Sequence, residues 1–275
     1  MSRISRIGRI IHPTAIVAEG AKLAEGVEVG PYVVIGSRVE IGANTRIAGH
    51  VVIEGDTRIG EECSIFPGAC IGTASQDKKT KGAADAYLRI GSGNVIREYV
   101  TINCGGTDGS GTLIGDRNLL MAYCHVAHDC VLGNEVVMAN NAGLAGHVTV
   151  EDKAVIGGFT GVHQFVRIGK LSMTGGLSKV TMDVPPFSLC DGHPMKFCGL
   201  NVVGLKRAGY ASKDLLELRR ALKILFASGL HLQNAVRKVK ETVRMTPEVE
   251  YTLAFIKGSK RGIARVGKLV ENKSD

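Results

Sequence analysis

Aliphatic residues recur at every sixth position over most of the chain. The first run is Ile11, Val17, Leu23, Val29, Ile35, Ile41, Ile47, Ile53, Ile59, Ile65 and Ile71. The period resumes at Ile90 and continues, with two gaps, to Val180. A helix would repeat every 3.6 residues and a plain strand every two. The pattern therefore predicts a repeat structure in which each short strand adds one aliphatic side chain to a central stack.

The position two residues before each aliphatic residue is usually small or β-branched, as at Val33, Thr45 and Ala142. Both positions are therefore expected to face a narrow interior. Cys124 and Cys130 occupy the small position, so we interpret them as buried packing residues rather than metal or redox ligands.

This repeat resembles the hexapeptide-repeat family, whose fold is a left-handed parallel β-helix. The resemblance implies that three hexads make one triangular coil and that equivalent residues of successive coils lie above one another. The expected fold is mainly β, a left-handed parallel β-helix of hexapeptide repeats with a C-terminal α-helical appendix.

Two segments depart from the repeat, residues 72–89 and residues 103–113. The first shifts the phase by one residue, so it must leave the prism, and long loops on rigid scaffolds often bind ligands. The second is rich in glycine and is interpreted as a plain turn. Neither ends in the Lys-Ser/Thr of a phosphate-binding loop.

Helical spacing appears after the repeat ends at VPPF and a short extended stretch. Leucines at 215, 218, 222 and 225, with Phe226, form an apolar stripe between a Ser212 cap and Ser228-Gly229. A second helix is predicted near 232–244 and a third after Pro247. We divide the chain into a catalytic β-helix domain, 1–205, and a basic helical domain, 206–275.

Composition and charge narrow the location and the partners. None of the apolar runs among the 275 residues reaches the roughly 20 residues of a transmembrane helix, and MSRISRIGRI is unlike a secretory signal. We therefore expect a cytoplasmic protein whose seven cysteines stay reduced. The net charge of +8 comes from residues 206–275, which hold 16 Lys/Arg against 7 Asp/Glu.

The stretch CHVAHDC, residues 124–130, carries the clearest chemistry. With three hexads to a coil, His125, His128, His147 and His163 fall in one neighbourhood, although the chain has only 8 histidines. Three interpretations remain at this point: solvated surface histidines, a zinc site built from three histidines, or general acid–base catalysis by a neutral imidazole.

The string AHDC is followed in order by NNAGLAGHV, IGG, GVHQF, DVPPF and GLKRAGY. Together with IHPTAIV from Ile11, these motifs resemble the UDP-N-acetylglucosamine acyltransferase family that begins lipid A biosynthesis. The resemblance covers essentially the whole chain. It implies transfer of a 3-hydroxyacyl group from acyl carrier protein to the sugar 3-hydroxyl, no metal or redox cofactor, and a homotrimer whose neighbouring subunit completes the pocket.

The resemblance also assigns roles to residues. His128 is the general base, Asp129 orients its imidazole, and the backbone N–H of Gly146 stabilises the oxyanion. Adjacent residues on a flat strand point to opposite faces, so His128 and Asp129 must sit at a bend if they act together. The residues matched to sugar-nucleotide contact are Gln76, Asp77, Lys79, His125, His147, His163, Gln164, Asn201 and Arg207.

Two positions depart from the family pattern: Val203 replaces an acidic residue and Ala208 replaces an arginine. Met173 and Gly176 match the residues that limit acyl-chain length, and the glycine predicts a longer chain. A basic surface is expected to attract the acidic carrier protein, and its residues are Arg219, Arg220, Lys223, Arg237, Lys238 and Lys240. Nucleic acid is the competing partner for that surface, but no motif for reading it is present.

Three alternative functions remain open from the sequence. An N-acyltransferase acting on a UDP-linked 3-amino sugar is the nearest. A zinc hydratase of the carbonic anhydrase type would use the same fold with His125, His128 and His147 as metal ligands. A noncatalytic scaffold is the third.

Overall fold

Short parallel strands wind into a three-sided prism. The structure is a computed structural model that describes residues 10–80, 83–211, 215–264 and 266. Each coil adds one strand to each of three sheets, here named A, B and C. Ile10 pairs with Glu28 and Glu28 with Arg46, so one coil takes three hexads and the predicted stacking is confirmed.

The strands are numbered in chain order. Sheet A contains Ile10–Ile11 (β1), Glu28–Val29 (β4), Arg46–Ile47 (β7), Ser64–Ile65 (β10), Val95–Ile96 (β13), Leu119–Leu120 (β16), Val137–Met138 (β19), Val155–Ile156 (β22), Met173–Thr174 (β25), Ser188–Asp191 (β27) and Lys196–Leu200 (β28). Sheet B contains Ile16–Val17 (β2), Val34–Ile35 (β5), Val52–Ile53 (β8), Cys70–Thr73 (β11), Thr101–Asn103 (β14), His125–Val126 (β17), Gly143–Leu144 (β20), Gly161–Val162 (β23) and Lys179–Val180 (β26). Sheet C contains Lys22–Leu23 (β3), Val39–Ile41 (β6), Asp56–Ile59 (β9), Tyr87–Ile90 (β12), Gly111–Ile114 (β15), Val131–Leu132 (β18), Thr149–Val150 (β21) and Arg167–Ile168 (β24). The pairs are parallel apart from the β27–β28 hairpin.

The two inward positions of each hexad fill the prism. Apart from Ile11 and Val17 in the first coil, the aliphatic residues of the first run are buried, and so are Val33, Thr45 and Ala142 at the small position. Cys124 and Cys130 are fully buried, and burial raises the pKa of their thiols to about 11 and about 12. Their interpretation as packing residues is confirmed.

The prism turns sharply at each edge, and many of these corners hold a residue with positive φ. At the edge between sheets B and C these are Asp129, His147 and Phe165, with φ of 59°, 61° and 64°. This left-handed conformation is uncommon for residues other than glycine. It lets neighbouring side chains at a corner point the same way, which a flat strand forbids.

Both departures from the hexad period leave the prism at this same B–C edge. Strand β11 runs to Thr73 and β12 begins at Tyr87, so the first excursion is residues 74–86, shorter than the predicted 72–89. The second runs between β14 and β15. Ser64 pairs with Val95 and Val95 with Leu119, so both coils exceed three hexads, the first by more than the second.

Helices follow the prism: Val202–Arg207 (α1), Leu215–Leu222 (α2) with a π-helical continuation Lys223–Ala227, Leu232–Thr242 (α3) and Pro247–Lys257 (α4). The predicted stripe on α2 and its continuation is buried from Leu215 to Phe226. Helix α1 spans the boundary predicted at 205 and lies where an extended stretch is expected. The predicted Ser212 cap lies outside the described residues.

Helix α4 contacts the prism through Arg167 of β24 and through Glu151, which follows β21. The Arg167 guanidinium lies 4.1 Å from the Phe255 ring centroid and donates to the Phe255 carbonyl oxygen. The Tyr251 hydroxyl donates to Glu151 at 2.9 Å. In the part of the chain that the structure describes, no helix has the length and apolar character to cross a membrane.

Candidate active site

The four histidines of the sequence analysis lie on sheet B and at its edge with sheet C. His125 is in β17, His128 and His147 lie at successive B–C corners, and His163 follows β23. The His128 and His147 rings meet edge to face with centroids 5.1 Å apart. The structure therefore brings His128 and His147 into contact and places His125 and His163 along one open groove.

His128 and Asp129 form a hydrogen-bonded pair at the corner. His128 Nδ1 lies 2.8 Å from Asp129 Oδ2, and the two side chains are only 12% and 11% exposed. The positive φ of Asp129 turns its carboxylate to the side on which His128 lies. The bend that the sequence required is present. Because the carboxylate holds Nδ1, Nε2 is the nitrogen left to exchange a proton with a substrate.

The loop after β14 supports the carboxylate. The Gly106 N–H donates to Asp129 Oδ2 at 3.0 Å, and Ser110 adds a side-chain hydrogen bond. The Asp129 N–H is in turn held by Thr112 Oγ1 at 2.9 Å. Burial alone would raise the pKa of Asp129, but the hydrogen bonds from Ser110, His128 and Gly106 lower it below its usual value. Residues 104–110 do form a turn between β14 and β15, but the interpretation as a plain turn missed their contacts with Asp129.

Gly146 lies directly over the His128 ring. A Cβ added to Gly146 would be 2.5 Å from His128 Nε2, so no side chain larger than hydrogen fits there without movement. Among the described residues no acceptor takes the Gly146 N–H. A backbone donor is therefore available beside the proton-accepting nitrogen, as an oxyanion site requires.

His147 is held by stacking. Its ring lies parallel to Phe165, at 4.6 Å between centroids and 7° between planes. Its Nε2 is 3.8 Å from Asp129 Oδ2. Ligand atoms of His128, Asp129 and His147 lie within 4.8 Å of one another, which is a possible metal-binding group. However, Asp129 Oδ2 is already shared between His128 and Gly106, so the side chains are arranged as a hydrogen-bonded acid–base pair.

His125 faces the groove from β17. Its Nδ1 lies 2.7 Å from Thr101 Oγ1, and burial, followed by the charge of His128, lowers its pKa. The zinc hypothesis grouped His125 with His128 and His147, but the metal-capable cluster contains Asp129 instead of His125.

Beyond His125 the outward column of sheet B continues through Gly143, Gly161 and Lys179. A Cβ on either glycine would meet nothing within 4 Å, so the groove floor is bare backbone.

The loop after β11 approaches the site at one point. A Cβ on Gly106 would lie 2.9 Å from the Thr80 methyl and 2.8 Å from His128 Nδ1, so Thr80 borders the corner that holds His128. Gln76, Asp77 and Lys79 are exposed, and Asp77 Oδ1 accepts the Lys79 N–H at 2.9 Å. Among the described residues, no hydrogen bond or ion pair joins these three side chains to the four histidines.

The remaining predicted residues lie farther along the chain. Gln164 is exposed beside His163. Asn201 caps α1 by accepting the Gly204 N–H, and its amide donates to the Leu171 carbonyl. Arg207 is exposed in the last turn of α1, with Val203 and Ala208 exposed near it. Met173 is on sheet A and Gly176 lies at the A–B edge. Both are therefore on a different side of the prism from His128, which lies at the B–C edge. The six predicted carrier-binding residues are all exposed on α2, its continuation and α3.

Several neighbours of the site were missed from the sequence: Thr101, Gly106, Ser110, Thr112 and Phe165. Thr101 was predictable, because it lies one coil before His125 once the extra length of the second loop is counted. Phe165 was predictable too, since it comes one regular coil of three hexads after His147. Gly106 and Ser110 lie in an aperiodic loop and left no signal.

Two protein families match the sequence. One is described as UDP N-acetylglucosamine O-acyltransferase, domain 2, and matches residues 183–264. The other is the bacterial transferase hexapeptide (six repeats), which matches residues 20–55 and 111–146.

Curated relatives cover nearly the whole chain. A protein of Synechocystis named acyl-[acyl-carrier-protein]--UDP-N-acetylglucosamine O-acyltransferase is 52% identical over 94% of this chain and 93% of its own length. A protein of the same name from Verminephrobacter eiseniae is 50% identical over 93% of this chain and 99% of its own length.

Solved structures share the architecture. The Francisella novicida UDP-N-acetylglucosamine acyltransferase superposes with a TM-score of 0.90 at 36% identity, covering 94% of this chain and 95% of that one. The Bacteroides fragilis enzyme gives 0.90 at 39% identity, covering 93% and 100%. The fold is therefore a left-handed parallel β-helix of hexapeptide repeats with short C-terminal helices, as expected from the sequence.

Proposed function

The chain belongs to the UDP-N-acetylglucosamine O-acyltransferase family, and we infer that it transfers a 3-hydroxyacyl chain from acyl carrier protein to the 3-hydroxyl of UDP-N-acetylglucosamine. This is the first step of lipid A biosynthesis. The observation that carries the inference is the convergence at one corner of an imidazole, its carboxylate partner and an unpartnered backbone N–H, at His128, Asp129 and Gly146.

These three groups suffice for acyl transfer. His128 Nε2 removes the proton of the sugar hydroxyl, and the hydroxyl oxygen forms a bond to the thioester carbonyl carbon. The carbonyl oxygen becomes an oxyanion that accepts the Gly146 N–H. When the carbonyl re-forms, the carbon–sulfur bond breaks, and the leaving thiolate of the carrier takes from His128 the proton that came from the sugar hydroxyl. Asp129 holds Nδ1 throughout and stabilises the imidazolium.

Contacts to the sugar nucleotide are assigned to the residues that match the family and line the groove. His125, His147, His163 and Gln164 support this assignment best, because they lie along sheet B and its edge on both sides of Gly146. Arg207 remains a candidate for the phosphates, and the loop side chains Gln76, Asp77 and Lys79 for the sugar. The side chain of Asn201 already hydrogen-bonds Gly204 through its oxygen and Leu171 through its nitrogen, so only part of its hydrogen-bonding capacity is left for a ligand.

A trimer is proposed on the exposed apolar face of the prism. The outward column of sheet A is Val95, Leu119, Val137, Val155, Met173 and Leu189. Beside it at the A–B edge, Tyr99, Tyr123, Phe159 and Leu177 are 53–72% exposed. Contiguous apolar surface of this kind marks a protein interface. A second copy seated on it also supplies a wall for the open groove and brings its Met173 and Gly176 to the acyl chain.

Charge and thiol state suggest the remaining partners. The exposed cations of α2 and α3 suit an acidic carrier protein. We further propose that the enzyme works in the cytoplasm, since all seven cysteines are free thiols, as a reducing compartment keeps them.

One experiment tests the reaction, the acceptor and the chain length together. Hydroxyacyl carrier proteins of increasing chain length are assayed against UDP-N-acetylglucosamine and its 3-amino analogue, with the wild type and with His128→Ala. Transfer to the hydroxyl from long-chain donors is expected, and His128→Ala should lose about 10²- to 10⁴-fold in kcat.

The outcomes separate the alternatives. Preference for the 3-amino analogue would make the enzyme an N-acyltransferase, and preference for short donors would remove the role of Gly176. A folded His128→Ala variant with full activity would leave the reaction without its proposed base.

A further inference from the structure

Arg261, which follows α4, reaches back from the helical part of the chain to the groove on sheet B. Its Nη2 lies 3.1 Å from His163 Nδ1 and donates to the Thr181 carbonyl oxygen at 3.2 Å. Thr181 and His163 both line the groove that contains His125. This arginine therefore brings the helical part of the chain into contact with a histidine of the site.

The backbone around Arg261 is firmly held. Ser259 Oγ donates to Asp183 Oδ2 at 2.7 Å, the Asp183 N–H donates to the Gly262 carbonyl at 2.8 Å, and the Ala264 N–H donates to the Asp183 carbonyl at 2.9 Å. Asp183 is only 1% exposed. The guanidinium is thus presented to His163 from a segment fixed on both sides.

The position of the Arg261 side chain carries a free-energy cost. Its Nε is buried and has no hydrogen-bond partner among the described residues. A buried donor without an acceptor is unfavourable and rare, so such a group calls for an explanation. The contact with His163 supplies one.

The two neighbours of His163 Nδ1 demand opposite tautomers. A guanidinium can only donate, so a hydrogen bond from Arg261 requires an unprotonated Nδ1. The Gln164 carbonyl oxygen, 3.3 Å from the same Nδ1, can only accept and requires Nδ1–H. Arg261 is the closer of the two, and with its bond made the proton of the neutral ring resides on Nε2.

We propose that Arg261 is a positioning residue that holds His163 as the Nε2–H tautomer, so that His163 presents a hydrogen-bond donor to the groove. The ligand atom it meets is an oxygen acceptor of the sugar nucleotide, which rests on the proposed function. Without Arg261, Nδ1 is free to donate to the Gln164 carbonyl, and Nε2 becomes an acceptor that repels the same oxygen.

The tautomer is measurable without substrate. Long-range ¹H–¹⁵N spectra of the full-length protein at about pH 8.5, where imidazoles are neutral, distinguish the two forms. The His163 signals are assigned by their loss in His163→Gln. We expect Nε2–H in the wild type and a shift to Nδ1–H in Arg261→Met, whose side chain has no hydrogen-bond donor. Arg261→Lys, which still donates, should keep Nε2–H, and so should the control Lys260→Gln, because Lys260 is exposed beside the contact.

Steady-state kinetics test the consequence. Arg261→Met should raise KM for UDP-N-acetylglucosamine about tenfold, the effect of one hydrogen bond, with KM for the acyl donor unchanged. Arg261→Lys should restore most of the loss.

Each result tests one part of the proposal. An unchanged tautomer in Arg261→Met, or the same change in Arg261→Lys, overturns the proposal. A changed tautomer with unchanged KM overturns the donation to the sugar nucleotide. Failure of the proposed function is a separate result, because it would appear as absence of acyl transfer in the wild type.

Discussion

At the scale of single residues, the proposed reaction uses groups that touch across coils. Asp129 is hydrogen-bonded to its chain neighbour His128, yet it is held by Gly106 and Ser110 from the preceding coil. Gly146 lies over His128 from the following coil. The site is therefore assembled from three successive coils of the prism, and a small displacement of any of them would change the distances between the three groups.

Gly146→Ala tests that sensitivity. The added methyl would lie 2.5 Å from His128 Nε2 and must displace the ring, so kcat should fall about 10²-fold or more. Gly143→Ala is the matched control for the position of the His128 ring, because its methyl enters the groove but meets nothing within 4 Å, and the two variants are compared by kcat at saturating UDP-N-acetylglucosamine. Equal activity of the two variants would show that the position of the ring over residue 146 is not needed for catalysis.

At the scale of elements, helix α4 is joined to the prism by polar contacts of β24 and its neighbours. Arg167 binds both Glu151 and the Phe255 carbonyl, and Tyr251 donates to Glu151. Burial, then the hydrogen bond to Glu151 and its charge, raises the pKa of Tyr251 to about 12. The phenol therefore keeps its proton in the folded protein at pH values where an unfolded chain loses it.

This shift predicts a loss of stability in alkali. A raised pKa favours folding below the unfolded value of about 10, and that contribution disappears as the pH rises from about 10 to about 12. In Tyr251→Phe the free energy of unfolding should be lower by about 1 kcal/mol at neutral pH and should fall less steeply over that window. Urea unfolding at several pH values measures both.

Tyr32→Phe serves as the control, since its ring is exposed and its hydroxyl makes no hydrogen bond among the described residues. It should follow the wild-type curve. If Tyr251→Phe and Tyr32→Phe gave the same curve, the contact with Glu151 would not fasten α4 to the prism.

The periodic elements were the predictable ones. The aliphatic positions from Ile11 to Val180 predict the prism because each coil must bury the same two positions, and the same arithmetic brings Gly146 over His128. Side chains outside the period carry no such constraint. Gly106 and Ser110 sit in a loop that contacts Thr80 and Asp129, and α1 begins at the Asn201 cap and buries Leu205. Local sequence does not specify contacts of that kind.

At the scale of the whole molecule, charge and apolar surface occupy different regions. The excess cations are on the C-terminal helices, while sheet A of the prism carries its apolar column between Val95 and Leu189. The cationic helices are suited to attracting an acidic partner by long-range electrostatics, whereas the apolar column is suited to a stable interface held by the hydrophobic effect.

The charged surface predicts a salt-dependent reaction with the carrier. Raising salt from about 0.05 to about 0.5 M shortens the Debye length and should lower kcat/KM for the acyl carrier roughly tenfold or more. Arg237→Gln combined with Lys238→Gln should lower the rate at low salt and flatten the dependence. Lys22→Gln, at the far end of the prism, is the control and should behave as the wild type. Turnover that is indifferent to salt would argue against steering by these helices.

The proposed trimer predicts that one charge on the apolar column can separate its subunits without unfolding the chain. Val137 lies in the middle of the column on sheet A, and its side chain points away from the interior. A glutamate there would have to be buried without a partner in the trimer, which is costly, but would be solvated in a monomer. We expect Val137→Glu to sediment as a folded monomer and to lose activity, because the groove loses the wall that a second copy supplies. Val131→Glu makes the same change on sheet C, where the side chain is 39% exposed, and should remain trimeric and active. A wild type that sediments as a monomer, or a Val137→Glu monomer with full activity, would mean that a single prism holds the complete site.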